Sequence, residues 1–287
     1  MKKALPLIGG IASIAALGWV AFLAWEQRGA IADIGFPLGA AALYAAFYAL
    51  SLTMLASNWA DIVDLFDGRG GAPARLLRSS FLKSQAWKYL PGNVFHYVSR
   101  HVAGARGGAS SGALFKATLC ESAALVAAAL LVSATALLAS DLALPEPWGT
   151  RLLVLMGAAI PLSAIALWAS IRIGREPLPI GRAMLVLARA VLFMAALGGF
   201  ACLVVGDFSN AGAIIGATTL AWVVGFLSPG SPGGLGTREA VFVFLLAPVL
   251  GEPLVLGASL VLRAITFAGD LLASALGVAI ERTGRGN

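Results

Sequence analysis

Inside an apolar region running from Phe208 to Leu250, the chain reads Leu227-Ser228-Pro229-Gly230-Ser231-Pro232-Gly233-Gly234-Leu235-Gly236-Thr237-Arg238-Glu239. Proline removes a backbone donor and clashes with the preceding turn, and each glycine weakens a helix, so a helix stops there. Lipid cannot satisfy the freed N–H and C=O groups. A break at membrane depth must therefore be buried in protein or line a wet cavity. A helix restarting at Thr237, with the Thr237 hydroxyl as N-cap, turns free amides and its positive dipole end back into the break, where they favour an anion. The alternative is a solvent-facing loop between two helices.

Composition decides the medium. With 287 residues, 59% hydrophobic and 12% charged, and a mean hydropathy of +0.88, the chain reads as a polytopic membrane protein. It is expected to form a single membrane domain over 1–287. The net charge of +6 and pI near 9.7 come from Lys and Arg spread along loops of one side, so no nucleic-acid partner is expected. Cys120 and Cys202 fall in apolar stretches and read as small hydrophobes. The start, Met1-Lys2-Lys3 and then uncharged residues from Ala4 to Trp25, resembles a signal peptide. Its apolar run is too long for one and no small-residue cleavage pattern ends it, so it reads as the first span.

Uncharged runs of about 20 residues, enough to cross ~30 Å of hydrocarbon, occur at Leu5–Trp25, Phe36–Asn58 and Leu152–Ile171. Three further spans carry charges: Leu114–Ser140 with Glu121, Ala183–Val205 with Arg189, and Leu254–Ile280 with Arg263 and Asp270. The loops Glu26–Gly35, Asp141–Thr150 and Gly206–Asn210 are poor in Lys and Arg, whereas Lys2, Arg75, Lys83, Arg172, Arg182 and Arg282 mark the opposite ends. Both termini are thus expected in the cytoplasm, with the protein in the inner membrane.

Two stretches do not fit a simple span. From Pro73 to Gly108 the sequence reads as two short helices interrupted at Pro91-Gly92-Asn93. This is either a surface amphipathic pair or a hairpin that dips into the membrane and returns. Ala211–Leu227 and Thr237–Leu250 flank the second break, and form either two tight spans or one hairpin. The two halves, about 1–145 and 150–287, then repeat one order: two spans, a broken segment, one long span. The first half starts inside and the second outside, as in an inverted repeat, where paired interruptions point to a transporter's binding site. The fold expected is all-α, with six full spans plus two re-entrant hairpins, or eight spans.

In the first broken segment Asn93 is placed to cap a second short helix. Lys88 precedes the break, and His96 and Arg100 lie one turn apart on one face with Tyr97 beside them. Arg supplies a planar fork for phosphate oxygens and Lys a mobile point charge. The same cations would also suit anionic headgroups at the membrane surface. In the second segment Gly233, Gly234, Thr237 and Arg238 line the restart, and Glu239 either steadies the helix end or meets a cationic headgroup. Glu121, Arg189, Arg263 and Asp270 are expensive in hydrocarbon and should face the bundle interior, as ion pairs or in gating. The depths of Glu121 and Arg189 allow those two to pair, and Arg263 and Asp270 share a helix face around Thr266. His96 and His101 have no companion Cys or clustered carboxylates, so neither a metal nor a cofactor is expected, and no catalytic constellation is evident.

Lys88-Tyr89-Leu90-Pro91-Gly92-Asn93-Val94-Phe95-His96-Tyr97-Val98-Ser99-Arg100 resembles the KYLPGxVxxYVGR segment of the lysylphosphatidylglycerol synthase transmembrane region family, also called the flippase-like domain family. Pro232-Gly233-Gly234-Leu235-Gly236-Thr237-Arg238-Glu239 is similar to that family's second signature, PGGLGxRE. Ser99 stands where glycine is usual. The resemblance implies a membrane module that moves lipids between leaflets, with cargoes in standalone members ranging over polyprenyl-phosphate-linked sugars, phospholipids and hopanoid-type lipids. No synthase domain follows before Asn287, so synthase activity is not carried over. The function expected is a flippase for a phosphate-bearing lipid. A membrane-embedded lipid-modifying enzyme is the first alternative. The second is a non-transporting partner of a lipid or glycan synthase, and a homo-oligomer is compatible with each of the three.

Overall fold

Pro37 and Gly68 bracket the first long helix of the computed structural model, which describes residues 35–68, 71–90, 94–140, 180–228 and 232–283 and a few isolated positions outside them. This helix, α1 (Leu38–Asp67), ends where Gly68 turns to φ 75° and its N–H reaches Asp64 O. It runs past Asn58, where the uncharged sequence stops, because its added turns remain apolar on one side: Trp59, Ile62 and Val63 are buried. Charge interrupts an uncharged run without interrupting a helix. Next come α2 (Ala74–Ser84), a 3₁₀ turn (Gln85–Tyr89), α3 (Phe95–Arg106) and α4 (Ser111–Leu138). Ser110 caps α4, its hydroxyl accepting from Ala113 N at 3.3 Å.

The second half of the described chain holds α5 (Ile180–Val205), α6 (Ala211–Leu227), a 3₁₀ turn (Pro232–Gly234), α7 (Thr237–Leu250) and α8 (Glu252–Thr283). Between α5 and α6, the Asp207 carboxylate accepts from Ser209 and Asn210, and these bonds hold its pKa down to about 2. All regular structure among the described residues is helical. Four helices, α1, α4, α5 and α8, are long and apolar enough to cross a membrane. At 1.5 Å per residue each reaches about 40 Å or more, so the chain is a multi-pass membrane protein. The expected spans Leu5–Trp25 and Leu152–Ile171 lie almost wholly outside the described residues.

The broken segments are short-helix pairs, α2 with α3 and α6 with α7. Each leans on the long helix that follows the other pair: α2 packs most extensively on α8, and α6 on α4. Small residues allow the approach. A Cβ on Gly212 would lie 2.7 Å from Ala136 O, and one on Gly277 would lie 2.8 Å from Ser79 O. Ser133 Oγ then donates to Gly216 O at 2.9 Å across the first interface, and Ser274 Oγ to Lys83 O at 3.3 Å across the second. Two apolar clusters result, one around Trp59, Leu77, Leu114 and Met194, the other around Ala201, Ile214, Leu246 and Val255. On α8, Asp270 falls between Ile265 of the second cluster and Ala273 of the first. Lys88 and Tyr89 meet Asp270 at that junction.

Candidate functional site

The Gln85–Tyr89 turn delivers two polar groups to one acid. Lys88 Nζ lies 2.6 Å from Asp270 Oδ1, and the Tyr89 hydroxyl donates to Oδ2 at 2.6 Å. Asp270 is wholly buried, so both of its oxygens are satisfied by groups from the other half of the chain. Lys88 also reaches the Tyr48 hydroxyl at 3.5 Å, and Phe267 stacks edge-on against Tyr89 at 4.8 Å between centroids.

Beyond the break, α3 carries Arg100 into the bundle, where it is 2% exposed. Its guanidinium pairs with Glu121 of α4 and lies 4.1 Å from the Trp59 ring centroid, with Tyr97 and Phe81 at 4.9 and 5.2 Å. Aromatic faces and a carboxylate thus replace the water a buried cation loses. The Tyr97 hydroxyl is 3.2 Å from Ser122 Oγ. The His96 ring lies tilted against Tyr97 with centroids 3.8 Å apart, and its buried Nδ1 has no hydrogen-bond partner.

The second break turns on glycine. Gly233, Gly234 and Gly236 sit at φ 57°, 77° and 80°, a left-handed region that side chains disfavour. Gly236 takes the cap position and Thr237 is the first helical residue, which corrects the expected Thr237 N-cap by one position. The Gly233 carbonyl accepts from Arg263 Nη2 at 3.0 Å, while Arg263 Nε lies 3.3 Å from Glu239 Oε1. The two 3₁₀ turns touch, since a Cβ on Gly233 would meet Tyr89 Cε1 at 3.2 Å. Arg238 differs from the other cations here. Its stem packs on Gly225 and Gly234 and its guanidinium lies 5.6 Å from the Trp222 ring. Its buried Nε has no hydrogen-bond partner, as is also true of Arg100 and Arg263, but those two pair with Glu121 and Glu239 whereas no described carboxylate pairs with Arg238.

Lys88, His96, Tyr97, Arg100, Glu121, Gly233 and Arg238 line one cavity of about 80 Å³. The sequence separates these residues into both halves, and the fold brings them to one space. A second cavity, of about 60 Å³, takes Arg238 as a shared wall and adds Glu239, Arg263, Thr218, Ser259 and Thr266. Arg263 borders a third, mostly apolar cavity of about 410 Å³ between α1 and α8. Gly234 supports the Arg238 stem and Thr237 opens α7, and neither lines these three cavities; Asn93 lies outside the described residues.

Arg189 stands apart. It pairs with Asp61 at 2.7 Å and reaches Asn58 Oδ1 at 3.2 Å, so the pairing with Glu121 that depth allows does not occur. Asp61 and Asn58 lie three apart on α1, on one helix face. Asp61 lies beyond the uncharged run that ends at Asn58, on the part of α1 that apolar length alone does not mark. Arg263 and Asp270 share a face yet pair with Glu239 and with Lys88. Tyr48, Gln85 and Trp222 also line the first cavity, and nothing in their local sequence marks them. Among the described residues no cluster of three His, Cys, Asp or Glu could hold a metal ion. Cations, a partnerless imidazole nitrogen and aromatic walls suit an oxyanion. No family model, curated protein or solved structure matches the chain.

Proposed function

We propose that the protein moves a phosphate-bearing lipid between leaflets, with the headgroup held where the two broken segments meet and the tails in the bilayer. The observation that carries this reading is Arg238, a cation without a carboxylate partner, shared by two small cavities that mix charged and apolar side chains among four long apolar helices. The apolar cavity beside Arg263 supports it, because a lipid needs a path for its tails next to the place for its phosphate. The reciprocal packing of α2 on α8 and α6 on α4 supports an inverted repeat in which each broken segment is a re-entrant hairpin. In this reading both termini are cytoplasmic and the protein resides in the inner membrane. The motif resemblance points the same way. Lys88, His96 and Tyr97 act with Arg238 at the headgroup, and the Arg100 and Glu121 pair closes one wall.

The test is exchange of a labelled anionic phospholipid between leaflets of liposomes carrying the protein, with lipid mass followed in parallel. Wild type exchanges lipid and leaves its mass unchanged. Arg238→Gln loses a charge-assisted contact of roughly 1.5–3 kcal/mol, which slows exchange about tenfold or more. Lysine at this position restores part of the rate, since it keeps the charge and loses the fork. A changed lipid mass would make the protein an enzyme, and neither exchange nor change would make it a partner of one.

A further inference from the structure

Resting on the transport reading, we infer that the site takes a lipid whose phosphate is a diester with a single negative charge and whose head is uncharged and rich in hydroxyls. The charges around the two small cavities fix the first half of this statement. Lys88 is matched by Asp270, Arg100 by Glu121 and Arg263 by Glu239, one cation to one acid in each case. Arg238 is the one left over among the described residues lining these cavities. An uncompensated charge is costly in a desolvated site, and a ligand that neutralises it is favoured by that amount. One negative charge brings the site to neutrality. A phosphomonoester, at about −1.5 to −2 near pH 7, overshoots it. A zwitterionic head brings an ammonium, and the charge of each acid at these cavities, Asp270, Glu121 and Glu239, is already matched by a cation.

The hydroxyls fix the second half. Thr218, Ser259 and Thr266 line the cavity beside Arg238, and each spends its proton on its own helix: Thr218 Oγ1 donates to Ile214 O at 2.6 Å, Ser259 Oγ to Leu256 O at 2.7 Å, and Thr266 Oγ1 to Arg263 O at 3.1 Å. What these oxygens have left is lone pairs. They accept from a ligand and do not donate to it, which matches a polyol head whose hydroxyls donate.

Full-length protein in detergent, titrated by calorimetry with water-soluble dihexanoyl lipids, tests this. Phosphatidylglycerol and phosphatidylinositol, both monoanionic polyol diesters, should bind at least about tenfold more tightly than phosphatidic acid or phosphatidylcholine, a gap of about 1.4 kcal/mol. Glu239→Gln releases Arg263 as a second uncompensated cation, and should shift the preference toward phosphatidic acid by about tenfold. Equal affinities for the four lipids with wild type would overturn the inference without recourse to any variant, and so would an unchanged preference in a folded Glu239→Gln protein. Selective binding without leaflet exchange would remove the transport reading and keep this one. Exchange of all four lipids at equal rates and affinities would do the reverse.

Discussion

After the first break, the short helix α3 offers a cation, Arg100, to an acid on the long helix behind it, Glu121; after the second, α7 offers an acid, Glu239, to a cation on α8, Arg263. Glu121 and Arg263 each sit about three turns into their helix. The plan is the same and the charges are exchanged. The surroundings differ, however: Arg100 and Glu121 are 2% and 3% exposed and walled by Trp59, Phe81 and Tyr97, whereas the Glu239 side chain is 15% exposed and Arg263 has the Gly233 carbonyl as a second partner. The residue before each pairing residue differs too, Ser99 in one case and Arg238 in the other. The Arg100 and Glu121 pair balances its own charge, whereas the region after the second break keeps the charge of Arg238 in reserve. The pair therefore acts as structure, and in the proposed reading the reserve charge is what a ligand completes.

The sharpest way to break this comparison is to remove the two acids in turn. Glu121→Ala strands a buried guanidinium and should cost about 3–5 kcal/mol of stability, read as denaturant unfolding in mixed micelles. Glu239→Ala should cost less, about 1–3 kcal/mol, because Arg263 keeps the Gly233 carbonyl. Equal losses would show that the two pairs are equivalent and that Arg238 alone separates the regions.

Gly233→Ala probes the point where the two turns touch. A left-handed φ of 57° and Tyr89 at 3.2 Å from the new Cβ predict a loss of roughly 1–2 kcal/mol, with slower lipid exchange as Tyr89 is pushed off Asp270. Unchanged stability and exchange would mean the tips do not depend on each other. The smallest effect is expected away from the site, at the Lys83 and Glu281 pair, whose side chains are 30% and 27% exposed. Lys83→Ala should change stability by about 0–1 kcal/mol. A larger loss would show that ion pairing between α2 and α8 stabilises the fold as much as the interior pairs do.

Four of the six expected spans, the two interruptions and the short helices around them were legible because proline, glycine and apolar length act locally. The partners of the charges were not. Glu121 pairs 21 residues back with Arg100, and Asp270 pairs 182 residues back with Lys88. Helices as apolar all round as α4 and α6 carry no stripe from which to read which face turns inward. The Thr237 cap failed for a local reason: Gly236 can adopt φ 80° and so takes the cap itself. Trp222 became a wall of the site only because α6 ends beside Arg238, a relation between two elements that neither sequence contains alone.

The glycine contacts have a mechanical consequence. Gly212 and Gly216 seat α6 on α4, while Gly269 and Gly277 seat α8 on α1 and α2, so closely that a single added carbon would strike backbone or a neighbouring side chain. Helices in such contact resist sliding, because one backbone would have to climb over the other. The fastenings run crosswise, each joining a segment of one half of the sequence to a helix of the other. Among the described residues the halves are therefore interlocked, each half's broken segment seated on the other half's long helix, and a motion that carried one broken segment would carry the helix beneath it.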